Sequence, residues 1–431
     1  MNARQAALDV LSGVLKKRSF LNLELKKVLN KKMTGEDKRF VTALASTTIE
    51  NLYRIDYVIN RFSTAKRIHT IVRNILRLGV AQLLFFESVP SSAAVNESVK
   101  LAVSNGKASL KGFVNAVLRN VSQNLGNISY PSQDDFPNYL HVMYSFPLWL
   151  CKKYVLDYGA VQAENIMSYI ADNSLTCVRL KDTQDKEFLN NYLPGKYCSD
   201  AFYIKNASDI ENMPLFKNGR LIVQGESSMI TVRAAGIAQG DLVLDTCAAP
   251  GGKSIYAAQI ASQGKIMAFD LHSHRVELMK KNIERMKISN ITVDVADSTL
   301  YNPEWESFFD VLIIDAPCSA LGLTHRKPDI KILRNEADIA PLIEIQRALL
   351  NNCSRYVKPG GKLLYSTCTI NRNENEENVR WFLDNNSNFN TDDFKNDIPE
   401  ALMYRVKDGM MQLLPNIDGI DGFFMARLKR I

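Results

Sequence analysis

Two cysteines of this chain stand where apolar strands end in hydroxyl-rich turns: Cys318 in IIDAPCSALG, residues 313 to 322, and Cys368 in LLYSTCTI, residues 363 to 370. A cysteine in such a place is usually a small core residue. Two of them on strands expected to be neighbours, one just three residues after Asp315, point to chemistry instead. A thiolate added to C6 of a pyrimidine makes C5 nucleophilic enough to attack a sulfonium methyl. The scheme needs a thiol, a donor to the N3 edge, a base for the C5 proton and a methyl donor across the ring. A free thiol of pKa about 8.5 is only a few per cent ionised near neutrality, so the site must favour the thiolate or couple attack to proton transfer. Spacing and burial do not rank the two cysteines.

A methyl donor site is also visible. The strand-like LVLD runs into DTCAAPGGKS, residues 245 to 254, and a helix follows. Glycines at such a turn let the backbone approach a ligand and leave helix-terminal N–H groups free. The spacing fits neither the dinucleotide fingerprint nor the P-loop, which disfavours pyrophosphate and triphosphate ligands. Asp245, Asp270, Asp297 and Asp315 close four successive strands. Asp270 lies 25 positions beyond Asp245, where an acid accepts ribose hydroxyls, and Asp297 is placed for an adenine amino group. Four acids in one crevice repel phosphate and attract a cation. A sulfonium carried on an adenosine, as in S-adenosylmethionine, meets both demands.

The elements that must position these residues follow from periodicity. From about residue 220, strands LVLD, KIMAFD, ITVDVAD, DVLIIDA and KLLYST alternate with helices striped by Val276, Met279, Ile283 and Met286, then by Ile339, Leu342, Ile345, Leu349 and Cys353. That rhythm predicts a parallel, doubly wound sheet whose ligands bind beyond the strands' carboxyl ends. Residues 1–127 read as a helical bundle, with Ile71, Ile75 and Leu78 on one stripe and Phe113, Ala116, Val117 and Val121 on another. NLGNISYPSQDDFPN reads as a linker, and residues 139–215 as a small α+β domain.

Composition narrows the class. With 46% hydrophobic and 23% charged residues, the 431-residue chain has the balance of a globular protein, and no apolar run approaches the roughly 20 residues of a membrane span. Seven cysteines without a C-x-x-C pair argue against a disulfide framework or structural zinc; no metal is expected, and a reducing cytoplasm is. The N-terminal segment reads as mature structure, not a signal peptide. Residues 1–130 carry 20 Lys and Arg against 8 Asp and Glu, so the front of the chain is the candidate for a polyanion partner.

Together DTCAAPGGK, AFD, VAD, DAPCSALG, RKPDIK, YSTCT and the terminal DGFFMARL resemble the RNA cytosine-5 methyltransferases of the bacterial RsmB (Sun/Fmu) and eukaryotic Sun-type group. ARQAALDVL, DKRFVTAL, LRLGVAQLLF, VPSSAAVNE and GFVNAVLRN are similar to the NusB-like RNA-binding domain. The resemblance implies a NusB-like domain at 1–127, the small α+β domain, and a Rossmann-like class I methyltransferase domain at 220–431. It implies S-adenosylmethionine as cofactor and 16S rRNA as partner, at cytosine 967 in standard rRNA numbering. Cys247, Ala248, Ala249, Pro250, Gly251, Gly252 and Lys253 would cradle the methionine part, Asp270 the ribose and Asp297 the adenine. Asp315, protonated in the working complex, would bond N3 beside the methyl donor. Cys368 would be the nucleophile, and Cys318 would assist elimination. Arg326, Lys327 and Lys331 would contact phosphates. Gly225 and Met229 depart from the family pattern, which commonly has an acid and Gln there. A tRNA or 23S rRNA substrate and a non-catalytic RNA-binding factor are the alternatives, and a monomer is expected.

Overall fold

Apolar residues at spacings of three and four become helices α1 (Ala3–Lys17), α2 (Leu21–Leu29), α3 (Gly35–Glu50), α4 (Leu52–Phe62), α5 (Thr70–Phe85), α6 (Ser91–Ser104) and α7 (Lys111–Gln123). Side chains cap them: Asn2 accepts from the Arg4 N–H at 2.8 Å and Thr34 from the Asp37 N–H at 3.1 Å. Their core joins Leu11 and Val14 of α1 to Leu44, Ile75, Leu78 and Val117. On α7 the buried face is Val114, Val117, Leu118 and Val121, while Ala116 is exposed. The expected stripe is rotated because Leu118, which buries more apolar area than Ala116, seats against Gly79 of α5.

The computed structural model describes residues 2–172, 174–182, 192–205, 207 and 209–431, and the chain divides into two units, 1–169 with 326–336 and 170–325 with 337–431. Residues 139–215, expected as one small domain, are split between them. Helices α8 (Phe136–Met143), α9 (Leu148–Tyr158) and α10 (Ala160–Ser168) belong to the helical unit, where Ser145 Oγ accepts from the Tyr53 N–H at 2.8 Å. Strands β1 (Leu175–Leu180), β2 (Leu193–Pro194), β3 (Ala201–Lys205) and β4 (Leu221–Val223) form an antiparallel sheet in the other, in the order β2-β3-β1-β4. Residues 173, 183–191, 206 and 208 of that expected domain lie outside the described residues.

Residues 326–336 contribute a buried lysine to the helical unit. Lys331 Nζ donates to the Glu50 and Tyr144 carbonyls at 2.7 and 3.3 Å and lies 4.5 Å from the Phe146 ring centroid. It is therefore not a phosphate contact, a correction that its neighbour Lys327, which is exposed, does not need. Burial pushes the Lys331 pKa down to about 8 from 10.5, against the charges of Glu50 and Cys151. The unfolded chain thus binds more protons between those values, so stability rises with pH from about 8 to about 10.5. Thermal unfolding should show that rise in the parent and a flatter profile in Lys331→Met; equal slopes would count against it.

The second sheet carries the site. Among the described residues β5 (Leu242–Asp245), β6 (Lys265–Asp270), β7 (Ile291–Val295), β8 (Phe309–Asp315), β9 (Val357–Thr367), β10 (Phe389–Thr391), β11 (Met410–Leu413) and β12 (Phe423–Arg430) form one mixed sheet. The order is β10-β12-β9-β8-β5-β6-β7, with β11 paired to β12. β5 to β9 pair in parallel and β12 runs antiparallel to β9. Register brings Asp245 beside Ile313, and Asp315 beside Ser366, so the strand ends face one crevice. That crevice lies between β5 and β8, where the strand order reverses and ligands of such sheets bind. Val276, Met279 and Met286 are buried as their stripe predicts. In the helix Ile339–Cys353, Leu349 and Cys353 of the expected stripe are buried, joined by Gln346 and Leu350, while Ile339 and Leu342 are only partly so. Ile345 is 41% exposed and turns to the crevice.

Candidate active site

Two cavities of about 220 and 300 Å³ share Cys247, Ala249 and Asp315 as walls at the reversal of the sheet. Ala248, Pro250, Gly252 and Lys253 line the first, with Asp245 at its back; Asp270, Asp297, Cys318 and Cys368 line the second. Gly251 caps the helix Gly252–Ile260 at φ 97°, a left-handed conformation that costs any other residue. Asp270 also pins the turn: it accepts from the Ala249 N–H at 3.2 Å and the His272 N–H at 3.1 Å, and pairs with Arg275 at 3.3 Å. Asp297 accepts from the Thr299 N–H and hydroxyl at 2.9 and 2.6 Å. Gly225 lines the first cavity, and a Cβ there would lie 3.2 Å from Asp421 Oδ2; Met229 is fully buried.

Burial pushes the Asp245 pKa up to about 7, with the Asp315 charge adding to it and the Ser254 hydroxyl, 2.6 Å from Oδ2, opposing it. Its Oδ1 is buried without a hydrogen-bond partner among the described residues. A carboxylate oxygen left this way is costly, and a cationic ligand in the cavity it lines would satisfy it. The residues present therefore fit a cofactor bearing an ammonium and a sulfonium.

On the wall that the two cavities share, Lys253 Nζ pairs with Asp315 Oδ2 at 2.6 Å, and the Ser366 hydroxyl donates to Oδ1 at 2.9 Å. Burial alone would lower the Lys253 pKa. The charge and hydrogen bond of Asp315, helped by Asp245 and Cys368, raise it above its ordinary value instead. Lys253, expected in the methionine cradle, thus also contacts Asp315, which lines the cysteine cavity. Asp315, expected as a proton donor, accepts on both oxygens here. The Cys318 and Cys368 sulfurs are 3.3 Å apart and both cysteines are free. The hydrogen bond to Cys368, then burial and the Cys368 and Glu374 charges, push the Cys318 thiol well above its ordinary value.

The two cysteine loops are fixed to each other by the Gly322 N–H on the Cys368 carbonyl at 3.1 Å. Gly322 has no room for a side chain, since a Cβ would sit 2.1 Å from the Gly422 carbonyl oxygen of the DGFF segment. Behind them lies a polar cluster that sequence reasoning missed. Asn371, Glu374, Asn375 and Asn378 of NRNENEEN are all buried, with Gln346 beside them. An Asn- and Glu-rich run reads as surface; its one cue is that it directly follows STCTI.

A turn backed by Asp245 and Asp315 would repel phosphate and hold a sulfonium, on a sheet whose reversal point opens beside them. This is an S-adenosylmethionine-dependent methyltransferase. Comparison with known proteins agrees: the NusB family model matches residues 1–123 and the 16S rRNA methyltransferase RsmB/F model residues 235–429. The probable ribosomal RNA small subunit methyltransferase B of Bacillus subtilis is 32% identical over 443 residues, covering 100% of this chain and 99% of the relative. That of Synechocystis is 30% identical over 446 residues, covering 100% of both. The crystal structure of PH0851 matches the fold with a TM-score of 0.79 at 24% identity, over 100% of this chain and 98% of the other. The chain belongs to the RsmB/F family of 16S rRNA methyltransferases, with a NusB domain at its front.

Proposed function

We propose that this protein methylates C5 of a cytosine in 16S rRNA, at the position equivalent to cytosine 967, through a covalent adduct between Cys368 and C6. The carrying observation is two sulfurs 3.3 Å apart in a cavity that Asp315 also lines, with the Lys253 ammonium on Asp315 and the buried Glu374 carboxylate bound to the N–H of Ser319, the residue after Cys318. An anion beside a thiol opposes its ionisation, which leaves attack to the other sulfur, the one the family resemblance also assigns. Cys368 is then the nucleophile, and Cys318 remains a thiol that hydrogen-bonds the sulfur when it departs. The Lys253–Asp315 pair would face the N3 edge and supply the proton that keeps the adduct from becoming an anion. After methyl transfer the C5 proton passes to water, the Cys368–C6 bond breaks with its electrons returning to sulfur, and the N3 proton goes back to the pair. The cofactor, when bound, supplies the methyl group. Asp270 and Asp297 hold its nucleoside, and the Cys247–Lys253 turn with Asp245 holds its methionine end. The names of the curated relatives and the basic, NusB-like front support small-subunit rRNA as substrate. Flipping the base into the cavity places it between the turn and the cysteines.

The direct test is incubation of unmodified 16S rRNA with labelled cofactor and mass spectrometry of its nucleosides. We expect 5-methylcytosine at one position; methyl transfer to another atom or base would sink the proposal. A second expectation concerns the cofactor alone. A cation binds the ionised form of Asp245, whose carboxyl must lose a proton below its pKa of about 7. Affinity should therefore weaken as pH falls below 7, by up to about tenfold per unit, with proton release on binding. Calorimetric titration at pH 6, 7 and 8 reads both, and a pH-independent affinity would contradict the role given to Asp245.

A further inference from the structure

Glu374 lies six residues past Cys368 with zero exposure, and four donors meet its carboxylate. The Ser319 N–H and Gln346 Nε2 reach Oε1 at 2.8 and 3.1 Å; Asn371 Nδ2, at 2.9 Å, and the Ser319 hydroxyl reach Oε2. Four accepted bonds use the full capacity of a carboxylate. None of the donors is a cation. A buried anion satisfied only by neutral dipoles is a costly way to tie two loops, because a neutral amide network would do so without a charge. What the charge adds is felt by the residue before Ser319, which is Cys318.

We propose that Glu374 is a positioning residue whose buried carboxylate, clamped to Ser319, holds the Cys318 loop against the Cys368 loop and disfavours a second negative charge at Cys318, leaving attack to Cys368. This rests on the cysteine roles proposed above. The groups facing Cys318 are the Cys368 sulfur, Glu374, the Tyr365 hydroxyl of β9 and the Ala320 N–H, with the Lys253–Asp315 pair beyond Cys368. The hydrogen bond to Cys368 and burial oppose the Cys318 thiolate most, the Glu374 carboxylate adds to them, and the Ala320 N–H favours it. The Tyr365 hydroxyl is spent on the Glu374 carbonyl, to which it donates at 2.7 Å. The same carboxylate fixes the loop geometry through Ser319, which also shares a hydrogen bond with Thr369 at 2.8 Å beside Cys368. Charge and position thus act on one pair: both sulfurs are held together, and one is held protonated.

The test reads the thiol without RNA. In full-length Cys368→Ala protein, alkylation of Cys318 by iodoacetamide is followed against pH by mass spectrometry of its peptide. Adding Glu374→Gln should move the profile down by about one pH unit, raising labelling at pH 8 about tenfold. Gln346→Lys, which neutralises the same carboxylate without replacing it, should move it the same way and serves if the first variant does not fold. Ser319→Ala loosens the clamp but keeps the charge, and should stay within about twofold of the parent. Calorimetric binding of S-adenosylmethionine identifies the folded variants. A parent-like profile in the folded charge-neutralised protein, or an equal shift in Ser319→Ala, would overturn the proposal. Adduct formation with RNA by Cys368→Ala would instead overturn the cysteine roles and leave the alkylation result standing.

Discussion

Cys368→Ala is expected to lose turnover by a factor on the order of 10^4 or more and to form no covalent complex with RNA, because in the proposed mechanism its sulfur is the group whose addition to C6 makes C5 nucleophilic. Cys318→Ala is expected to do the opposite in one respect: it should accumulate a protein–RNA complex that survives a denaturing gel. The distances explain the contrast. In the proposed mechanism attack uses the Cys368 sulfur and the Lys253–Asp315 pair, none of which the second substitution removes. Elimination would then expel the same sulfur as a thiolate, and the Cys318 thiol 3.3 Å away is within hydrogen-bond reach to stabilise that charge. Losing one aligned donor at a developing anion costs about 10^2- to 10^3-fold, enough to make breakdown slower than formation. Time courses with unmodified 16S rRNA and cofactor, sampled for adduct and for released 5-methylcytosine, separate the two steps. Trapping by the Cys368 variant instead of the Cys318 variant would reverse the assignment.

The parts legible in sequence are those whose signal is local. KIMAFD became β6 at both of its expected ends, because parallel strands covered on both faces are continuous apolar runs closed by a polar residue. The glycine turn and the acids at strand ends are likewise contiguous in the chain, and they converge on the two cavities. β12 left no period to read: Phe423 to Leu428 are all buried, and an edge-to-centre antiparallel strand of this kind does not alternate. β9 begins at Val357, before the Pro-Gly-Gly that reads as a turn, and a register irregularity beside Phe309 and Val311 absorbs it. The site's pairings are illegible for another reason. Lys253 meets Asp315 across 62 residues and Ser319 meets Glu374 across 55, so no window contains both partners. Sequence could make Cys318 and Cys368 a pair. Proposing a rank for them draws on contacts between distant segments, Glu374 with Ser319 and Lys253 with Asp315, that no single stretch contains.

The Lys253–Asp315 pair should behave as a single unit. Lys253→Met leaves Asp315 and the buried Asp245 as two carboxylates in one cavity without an ammonium, which favours protonation of at least one of them. Asp315→Asn removes the charge that raises the Lys253 pKa and leaves burial to lower it. In either case an uncompensated buried charge is what costs, about 3–5 kcal/mol for a broken pair, and a proton relay to the base is lost with it. Single-turnover rates at saturating cofactor should therefore fall about 10^2- to 10^4-fold in each variant. In Asp315→Asn the high-pH limb of the rate profile should also move down, since the ammonium now gives up its proton at lower pH. The double variant should be no slower than the slower single one, because the second substitution removes the group the first left stranded. Losses that multiply in the double variant would mean that the two side chains act on the base separately, and that the 2.6 Å contact between them is incidental to the reaction.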